Sequence, residues 1–474
     1  MPTEGRPYSG SVAITRFETP RMPSTYLHRV VDREARGALV LAVAVPFLFV
    51  HERFQPELTV DVGSSSIDIR LSDVAILAVL VAAVASAARL GLSRLRPTRF
   101  LWISGALLLA WLAFETFRPV SMDDARFDDN LISFLKLGEY ALLAVAVPLL
   151  VRQVEDLTIV LGALALWAAV ASAVALFQFF GLDVFGAWNA GWRQPSFLGH
   201  HDLAALAAVP TALGIARIVV GRRMPAAQLF AWALAGGMLG LVLAGSVAAV
   251  AGLALGAVAV GVASRRRFSP SGRQLLAVVA VVAVVGGGVT AVRGDALEDF
   301  VRFLGVRGDE PPQGVETYSQ RAVLAYIGLR IFEDNPIVGV GWQRSSRPEV
   351  FQPYLADAHK RFPDVVDLAF PAPGREWGVQ NLYIQLLADA GIIGLLLLVA
   401  VGAAGLVLAW RTAVHAPTPW AAAAGLAMIC ALLTVAGEWA SLGIVAGIPL
   451  QAATCLVLGL AAAGAATAED ELAV

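Results

Sequence analysis

The sequence predicts an all-α membrane protein that crosses a lipid bilayer about twelve times. Hydrophobic residues make up 58% of the 474-residue chain and charged residues only 15%, with a mean hydropathy of +0.70, whereas soluble domains are about one quarter charged. Most apolar residues fall into uninterrupted blocks of about 18 to 24 residues, the length of helix that crosses a hydrocarbon core of about 30 Å. The alternating pattern of a membrane β-barrel is absent from the sequence.

Polar and charged residues between the apolar blocks set the limits of the predicted spans. In order, the spans lie near 37–50, 72–89, 99–116, 131–151, 157–180, 202–220, 227–245, 247–264, 274–292, 390–410, 419–437 and 443–466. The first block is short, and the two blocks between 227 and 264 are separated only by Gly245, Ser246 and Val247. A single long, kinked helix is the alternative there, and it would reverse the orientation of every later span.

Arginine residues are distributed unequally between the two sets of loops, which predicts the orientation of the spans. With a cytoplasmic N-terminus, the inner segments contain Arg6, Arg16, Arg21, Arg29, Arg33, Arg36, Arg94, Arg96, Arg152, Arg222, Arg223, Arg265, Arg266, Arg267, Arg273 and Arg411, and the short outer loops contain only Arg53, Arg70, Arg118, Arg126 and Arg193. We therefore expect both termini in the cytoplasm and an even number of spans. The Arg-rich tail lacks an apolar core with a cleavage site behind it, so we expect no removable signal peptide.

The predicted organisation has five parts. A basic cytoplasmic tail, 1–36, precedes a transmembrane region, 37–292, with about nine spans. A large outer loop, 293–389, is followed by about three further spans in 390–466 and a short cytoplasmic tail, 467–474. A loop of this length is uncommon unless it is functional, so the outer loop is the first place to look for a site.

The outer loop contains a predicted amphipathic helix from Ser319 to Phe332, with Ser319 as its N-cap and Asn335-Pro336 after its end. Its apolar positions recur at helical spacing at Val323, Ile327 and Ile331. Arg321 would lie in the first turn, where a cation is unfavourable to the helix dipole. A carboxylate of the protein or a phosphate of a ligand would each compensate, because a guanidinium binds both in a bidentate manner.

The outer loop ends in a predicted helix with a polar stripe. Asn381, Gln385 and Asp389 recur every four residues and therefore share one face. That face is either a packing surface against the outer loop or the wall of a polar cavity. Gly391 and Gly394 would allow close helix approach or a bend where the chain enters the bilayer.

Several kinds of site are disfavoured by the sequence. Cys430 and Cys455 lie in apolar blocks, which leaves no CxxC pair and no disulfide framework. The two histidines of His200-His201-Asp202 point in different directions and have no third ligand at useful spacing, so we expect no metal site. There is no P-loop, HExxH or GxSxG motif, and the formal net charge of −2 gives no reason to expect a nucleic-acid partner.

Charged side chains near the span ends have two readings each. Lys136 and Glu139 lie three residues apart in the fourth span, where charge is costly, and they form either a local ion pair or a functional charge path. Glu438, at the outer end of a span, is beside a Trp that suits either substrate contact or an interfacial anchor. Arg193, near Trp188, could hold a phosphate or a sugar ring, or belong to the interfacial belt.

Three segments of the chain form an ordered set of motifs. They are Ser-Phe-Leu-Gly-His-His-Asp-Leu-Ala (196–204), Ser-x-Arg followed by Asp-Asn-Pro-Ile-Val-Gly-Val-Gly-Trp (319–342), and Gln-Asn-Leu-Tyr-Ile-Gln-Leu-Leu-Ala-Asp-Ala-Gly-Ile-Ile-Gly (380–394). Together they resemble the bacterial O-antigen ligase and polymerase superfamily. The resemblance covers the chain from about residue 130 onward, and the span count and the late outer loop agree with it.

The resemblance implies a type C glycosyltransferase-like membrane fold in the bacterial inner membrane. Members of the superfamily transfer an oligosaccharide or polysaccharide from an undecaprenyl diphosphate carrier to an acceptor hydroxyl at the outer face, without a nucleotide sugar, a metal or another cofactor. The partners implied are this donor, the lipid bilayer, and an acceptor that is a glycan, a lipid or a protein.

The resemblance also implies where the site residues lie. Arg321 matches an arginine that holds the donor diphosphate. Gln380-Asn381 stands where the family has His-Asn, and an amide cannot accept a proton at neutral pH. Val247 stands where the family often has the arginine of Ser-Arg-Gly, and His201 stands where it usually has Asn.

The expected catalytic residues are therefore Arg321, Gln380, Asn381 and His359, and the expected substrate-binding residues are Arg193, His201, Arg375 and Trp342. By chemistry, the candidates for the base are His359, His201, Asp357 and Glu376. Alternatively, transfer needs little base assistance, because a diphosphate is a good leaving group and positioning supplies much of the rate.

Three other functions remain open. A non-catalytic relative would bind lipid-linked glycan in envelope assembly. A flippase or transporter would move the glycan across the membrane, with Lys136 or Glu139 in its charge path. Shape-and-division glycan polymerases are also multispan proteins with a long outer loop, although the motifs fit them less well.

Overall fold

The computed structural model of the protein describes residues 36–62, 65–118, 127–224, 227–294, 298, 317–372 and 374–473. The helices are α1 (Arg36–Leu48), α2 (Leu71–Leu90), α3 (Arg99–Phe117), α4 (Phe127–Leu150), α5 (Val154–Phe179), α6 (His200–Val220), α7 (Ala227–Ala244), α8 (Val247–Arg265), α9 (Gly272–Val292), α10 (Thr317–Asp334), α11 (Pro348–Phe351), α12 (Leu355–Arg361), α13 (Leu382–His415), α14 (Pro419–Trp439) and α15 (Pro449–Ala473). Two strands, β1 (Glu57–Val62) and β2 (Ser65–Arg70), lie between α1 and α2. Apart from its last residue, the predicted basic tail lies outside the described residues.

Eleven helices in this part of the chain are long and apolar enough to cross a membrane, namely α2 to α9 and α13 to α15. Helix α1 is apolar but has only 13 residues, which at about 1.5 Å per residue is shorter than a hydrocarbon core of about 30 Å. The prediction of a polytopic helical membrane protein is confirmed. Its count of about twelve spans differs from the observed count only by this short helix.

The chain forms two helices, not one, between 227 and 265. Helix α7 ends at Ala244 and α8 begins at Val247. Gly245 has a φ of 63°, which glycine adopts without the steric cost of a side chain. The Ser246 hydroxyl then accepts a hydrogen bond from the Ala249 N–H at 3.2 Å and caps α8. The prediction of two separate spans is confirmed at this point.

A β-hairpin before α2 is the element that the sequence did not predict. Strands β1 and β2 pair antiparallel, with Glu57 opposite Arg70, and Arg70 Nη1 lies 2.6 Å from Glu52 Oε2. Polar and apolar residues alternate in both strands, so a search for apolar blocks of bilayer length finds nothing there. The all-α prediction is confirmed, and the structure adds this short strand pair to it.

Helices α6, α14 and α15 form the buried centre of the helix bundle. Helix α14 packs closely on α8, where a Cβ added to Gly437 would lie 2.4 Å from the carbonyl oxygen of Ala248. Small residues permit this close approach between membrane helices. Cys430 and Cys455 are buried within α14 and α15 as free thiols.

Helix α13 breaks at Gly391, which has φ 64° and ψ −169°. Backbone groups around the break bond to other segments: Val340 N–H to Ala388 O (2.9 Å), Gly341 N–H to Asp389 O (2.8 Å), Trp111 Nε1–H to Ala390 O (3.0 Å) and Ile392 N–H to Pro336 O (2.9 Å). A Cβ on Gly391 would lie 2.1 Å from Ile337 O. The predicted bend at Gly391 is confirmed, and two of the three sequence motifs pack directly on each other there.

Loops from distant parts of the chain meet at each end of the bundle. We call the end that carries residues 49–56, 180–199, 335–381 and 440–448 the site end. There the His51 N–H donates to Phe197 O at 2.9 Å. At the opposite end, buried Arg94 contacts Asp470 at 2.5 Å and joins the last helix to the loop after α2.

Candidate functional site

Helix α10 is one wall of the site end and is already helical at Thr317. The predicted amphipathic helix is confirmed, but Ser319 lies inside it and is not its N-cap. Arg321 is therefore the fifth residue of the helix, not in its first turn as predicted, and the helix dipole has less effect there. The apolar face of α10 packs on the outer loop's own core, which consists of Val323, Ile327, Ile331, Phe351, Ala358, Phe370 and Ala388.

The Arg321 guanidinium contacts the residue that stands in place of the family histidine. Arg321 Nε donates to Gln380 Oε1 at 2.9 Å. The neutral amide orients the guanidinium without adding a negative charge that would compete with an anionic ligand. Gln380 thus has a geometric role that does not require it to exchange protons.

Asn381 connects this pair to the loop after α14. Its Oδ1 accepts from the N–H groups of Tyr383 and Ile384, at 3.0 and 3.1 Å, and caps α13. Its Nδ2 donates to Ala440 O at 2.8 Å. Of the three residues in the polar stripe, Asn381 is therefore the N-cap of α13. Gln385 and Asp389 lie one and two turns inside the helix, and their side chains contact each other at 3.3 Å.

His201, in the first turn of α6, faces the end of α14. Its Nδ1 lies 2.6 Å from Glu438 Oε2 and 3.3 Å from Ser441 Oγ. The Glu438 side chain has 0% exposure and the His201 side chain 17%. The sequence offered Glu438 as a residue at an outer span end, but its partner is 237 residues away, and no spacing rule predicts that contact.

Arg193 and Trp188 lie in the loop before α6. The Arg193 guanidinium lies 4.4 Å from the centroid of the Trp188 ring, in a cation–π arrangement. The His200 ring also contacts Trp188, edge to face, with ring centroids 4.0 Å apart. Gln194 fixes the loop, since its N–H donates to Leu243 O at 2.7 Å.

Arg293 is a site residue that the sequence reasoning missed. It directly follows α9, its side chain is buried, and its Nη1 donates to Gly245 O at 3.2 Å. A Cβ on Gly245 would lie 2.8 Å from Arg193 Cβ and 3.3 Å from Arg293 Cδ. Both arginines therefore lie beside the turn that precedes Val247, the position at which the family motif would have an arginine.

Three arginines lie close enough to His200 to influence it electrostatically. The charges of Arg193, Arg293 and Arg321 all act on its imidazole. Within the described residues, neither ring nitrogen of His200 has a hydrogen-bond partner, although both are buried. We call Arg193, Arg293 and Arg321 the arginine cluster. The cluster combines Arg193, from the loop before α6, with two residues of the outer loop.

Other candidates from the sequence lie elsewhere in the outer loop. His359 stacks on Phe370, with ring centroids 3.8 Å apart. The carboxylate of Asp357 accepts a hydrogen bond from Tyr326, which raises the pKa of that phenol, and it also lies 3.3 Å from Arg330.

The remaining candidates differ in exposure. Arg375 and Glu376 are exposed on the loop surface. Trp342 is fully buried, and its backbone N–H donates to the backbone carbonyl of Glu115 at 3.1 Å. In this structure the Trp342 ring therefore offers no surface to a substrate. Over the described part of the chain, no three His, Cys, Asp or Glu side chains are grouped so that they could hold a metal ion.

Residues 229–399 match the sequence profile of a family described as O-antigen ligase. The matched segment runs from the start of α7 to the middle of α13 and includes Arg293, Arg321, Gln380 and Asn381. The other side chains around the cluster come from outside it. No curated protein sequence matches the chain.

Proposed function

We propose that the chain is a membrane glycosyltransferase, because residues 229–399 match the sequence profile of the O-antigen ligase family. The acceptor hydroxyl attacks the anomeric carbon of a glycan carried on undecaprenyl diphosphate. The bond from that carbon to the diphosphate oxygen breaks, and the diphosphate leaves with the electron pair. The reaction takes place at the site end, which we assign to the outer face of the inner membrane.

The observation that carries this proposal is that Arg193 and Arg293 flank Gly245 and act, together with Arg321, on the same buried histidine, His200. A planar guanidinium matches phosphate oxygens in a bidentate manner, and three of them suit a diphosphate. Charge accumulates on the leaving diphosphate as the bond breaks, so preorganised cations stabilise the transition state more than the ground state. The Arg293 side chain is buried, and screening by water and salt is weaker at such a position.

Gln380 and Asn381 support the cluster in this proposal. Gln380 holds the Arg321 guanidinium at 2.9 Å, and Asn381 joins the start of α13 to Ala440 at 2.8 Å. A displacement of about 1 Å at a reacting centre is enough to lower a rate markedly. Both amides therefore act through geometry and not through proton transfer.

A non-catalytic glycan-binding protein is the second candidate. Gln380, where the family has a histidine, favours it because an amide is not a base. Such a protein would bind undecaprenyl diphosphate through the same arginine cluster and release no glycan from it. The two candidates differ in transfer and agree in binding.

A transporter has less support. Lys136, the cation expected in a charge path, lies 2.6 Å from Asp73 Oδ2 on the neighbouring helix α2. This pair compensates the charge within the bundle and joins α4 to α2. Its contacts therefore suit a structural role.

The test is transfer in proteoliposomes that contain undecaprenyl diphosphate linked to a radiolabelled oligosaccharide. We expect the native chain to transfer the label and Arg321→Ala to lower the rate by about 10²- to 10³-fold, as when one preorganised donor is removed. Arg330→Ala is the matched control, because Arg330 lies on the same helix, is half-exposed and pairs with Glu333.

Full transfer by Arg321→Ala would refute the role of that residue. Binding of undecaprenyl diphosphate without transfer by the native chain would instead favour the non-catalytic candidate.

A further inference from the structure

A buried carboxylate holds one histidine beside the arginine cluster. Glu438, at the last turn of α14, is completely buried, and its Oε2 lies 2.6 Å from His201 Nδ1. Its other oxygen, Oε1, is buried without a hydrogen-bond partner among the described residues. A buried carboxylate that lacks full compensation is costly, so this contact is a specialised arrangement and not general packing.

The contact selects one form of the imidazole. Both hydrogen bonds of His201 within the described residues involve Nδ1, one with Glu438 and one with Ser441. Because a carboxylate only accepts hydrogen bonds, Nδ1 carries the proton in the neutral ring. Nε2 is then the unprotonated nitrogen, and the carboxylate can stabilise the imidazolium that forms when Nε2 takes up a proton.

The pair is connected to the diphosphate site by two short paths. Ser441 follows Ala440, whose carbonyl accepts a hydrogen bond from Asn381, the neighbour of Gln380. His201 also follows His200, on which all three arginines act. A base at His201 would therefore lie on the same segments that contact the arginine cluster.

The other histidines near the outer loop are less suitable. The His200 ring is packed against Trp188 and is buried at both nitrogens. His359 is half-exposed, stacks on Phe370 and lies 4.0 Å from the highly exposed Asp367. His201 alone among these three is held by a buried carboxylate.

We propose that His201 is the catalytic base of the transfer reaction and that Glu438 is its positioning residue. This inference rests on the proposed glycosyltransferase function. His201 Nε2 takes the proton of the acceptor hydroxyl as its oxygen bonds to the anomeric carbon. The bond from that carbon to the diphosphate breaks at the same centre, and the proton later passes from the imidazolium to solvent.

The charged groups around His201 define how the rate should depend on pH. Glu438 and Asp202 contribute negative charge, and Asp202 accepts from Leu450 N–H at 2.7 Å. The arginine cluster contributes positive charge, since its three guanidinium groups act on the adjacent His200. Since the base must be neutral, we expect the transfer rate to fall at acid pH. Removal of the Glu438 charge destabilises the imidazolium, so the acid limb moves to lower pH in Glu438→Gln.

The experiment compares the native chain with His201→Asn, Glu438→Gln and the control His415→Asn in the proteoliposome assay; His415 is exposed at the C-terminal end of α13. Loss of a general base lowers a rate by about 10²- to 10⁴-fold, and we expect that loss in His201→Asn. We expect a smaller loss and the shifted acid limb in Glu438→Gln, and no change in His415→Asn. All variants should still bind undecaprenyl diphosphate, which shows that they are folded and that the arginine cluster is intact.

Three results would overturn the assignment, each in a different way. If His201→Asn transferred glycan as fast as the native chain, His201 would not be the base, and the proposed function would stand. No transfer by the native chain would reject the proposed function and the base together. If His201→Asn failed to bind the lipid, its transfer rate would not be informative, and Glu438→Gln would decide. An acid limb at the same pH in Glu438→Gln and the native chain would then reject the roles of His201 and Glu438.

Discussion

At the residue scale, the arginine cluster combines side chains from separate segments of the chain. Arg293 lies next to Gly245, which is 48 residues earlier. The family motif would supply an arginine from the same turn, at Val247. In this chain a guanidinium reaches the turn from the end of α9, so the local charge is retained although the motif is altered.

This leads to a prediction for Arg293. Arg293→Ala should lower glycan transfer about 10²-fold, because one cation at the leaving diphosphate is lost. The control is Arg411→Ala, since Arg411 lies at the opposite end of the bundle and pairs with Glu469 at 3.0 Å. Initial rates in proteoliposomes provide the comparison. Equal rates in both variants would remove Arg293 from the site.

A second prediction at this scale concerns His51. Burial lowers the pKa of His51 from its ordinary value of 6.5, so the unfolded chain binds this proton more readily than the folded chain. The stability from neutral His51 is present above about pH 6.5 and is lost as the pH falls below it. The fall in Tm between about pH 7.5 and about pH 5.5 should be smaller in His51→Asn.

Asn preserves a side-chain acceptor for the Arg53 N–H that His51 caps. The substitution therefore removes the titrating group and leaves the turn intact. Identical falls in Tm for the native chain and the variant would show that His51 does not contribute to the pH dependence.

Sequence reasoning found part of the candidate site. Arg321, Gln380 and Asn381 follow from motifs that are local in the chain. Arg293 and the partner of His201 could not be found in that way, because their contacts cross between helices that no spacing rule places side by side. The sequence contained one signal for the partner of His201, which was a carboxylate, Glu438, at the end of a predicted span.

At the element scale, the break in α13 shows why two motifs occur together. The Gly-Val-Gly-Trp segment supplies the N–H groups that bond to the carbonyls of Ala388 and Asp389. Asp389 in turn accepts from the Ser345 N–H at 2.8 Å. Most residues of these two motifs therefore have a structural role. Their packing places Gln380 and Asn381 directly before the first turn of α13.

Gly391→Ala tests this element. The combination of φ 64° and ψ −169° is adopted essentially by glycine and costs a residue with a side chain about 1–3 kcal/mol, and the added Cβ would overlap Ile337 O at 2.1 Å. We expect a clear drop in Tm in detergent and reduced transfer. Gly402→Ala, on the same helix, has nothing within 4 Å of the new Cβ and should leave Tm unchanged or slightly higher.

If Gly391→Ala were as stable as Gly402→Ala, the break would not depend on glycine. Sequence reasoning anticipated this bend, because glycine before a span is a recognisable signal. It did not anticipate the β-hairpin, because six-residue strands with alternating polarity resemble an ordinary loop when no pairing partner is known.

At the scale of the whole molecule, the fold was largely predictable because the bilayer limits the choices. Backbone groups in hydrocarbon must be paired within the protein, so long apolar blocks become helices. Span limits such as Leu71–Leu90 and Arg99–Phe117 therefore agree with the predicted 72–89 and 99–116. Packing between the helices is not encoded in this way, and it decides which loops meet at the site end.

The orientation of the bundle can be tested with single cysteines, since Cys430 and Cys455 are both buried. Leu368 is exposed at the site end and Arg222 at the opposite end. In cells whose outer membrane is permeabilised and whose inner membrane is intact, a membrane-impermeant maleimide should label Leu368→Cys and not Arg222→Cys. The reverse labelling would place the site end in the cytoplasm, where the proposed reaction could not occur.

The central claim is that the arginine cluster forms one diphosphate site, and a double-mutant cycle on binding tests it most directly. Binding of undecaprenyl diphosphate would be measured for the native chain, Arg293→Ala, Arg321→Ala and the double variant. Residues that share one ligand are coupled by about 0.5–3 kcal/mol. We therefore predict that the loss of binding free energy in the double variant differs from the sum of the losses in the two single variants. Strict additivity, or native affinity in both single variants, would contradict the account.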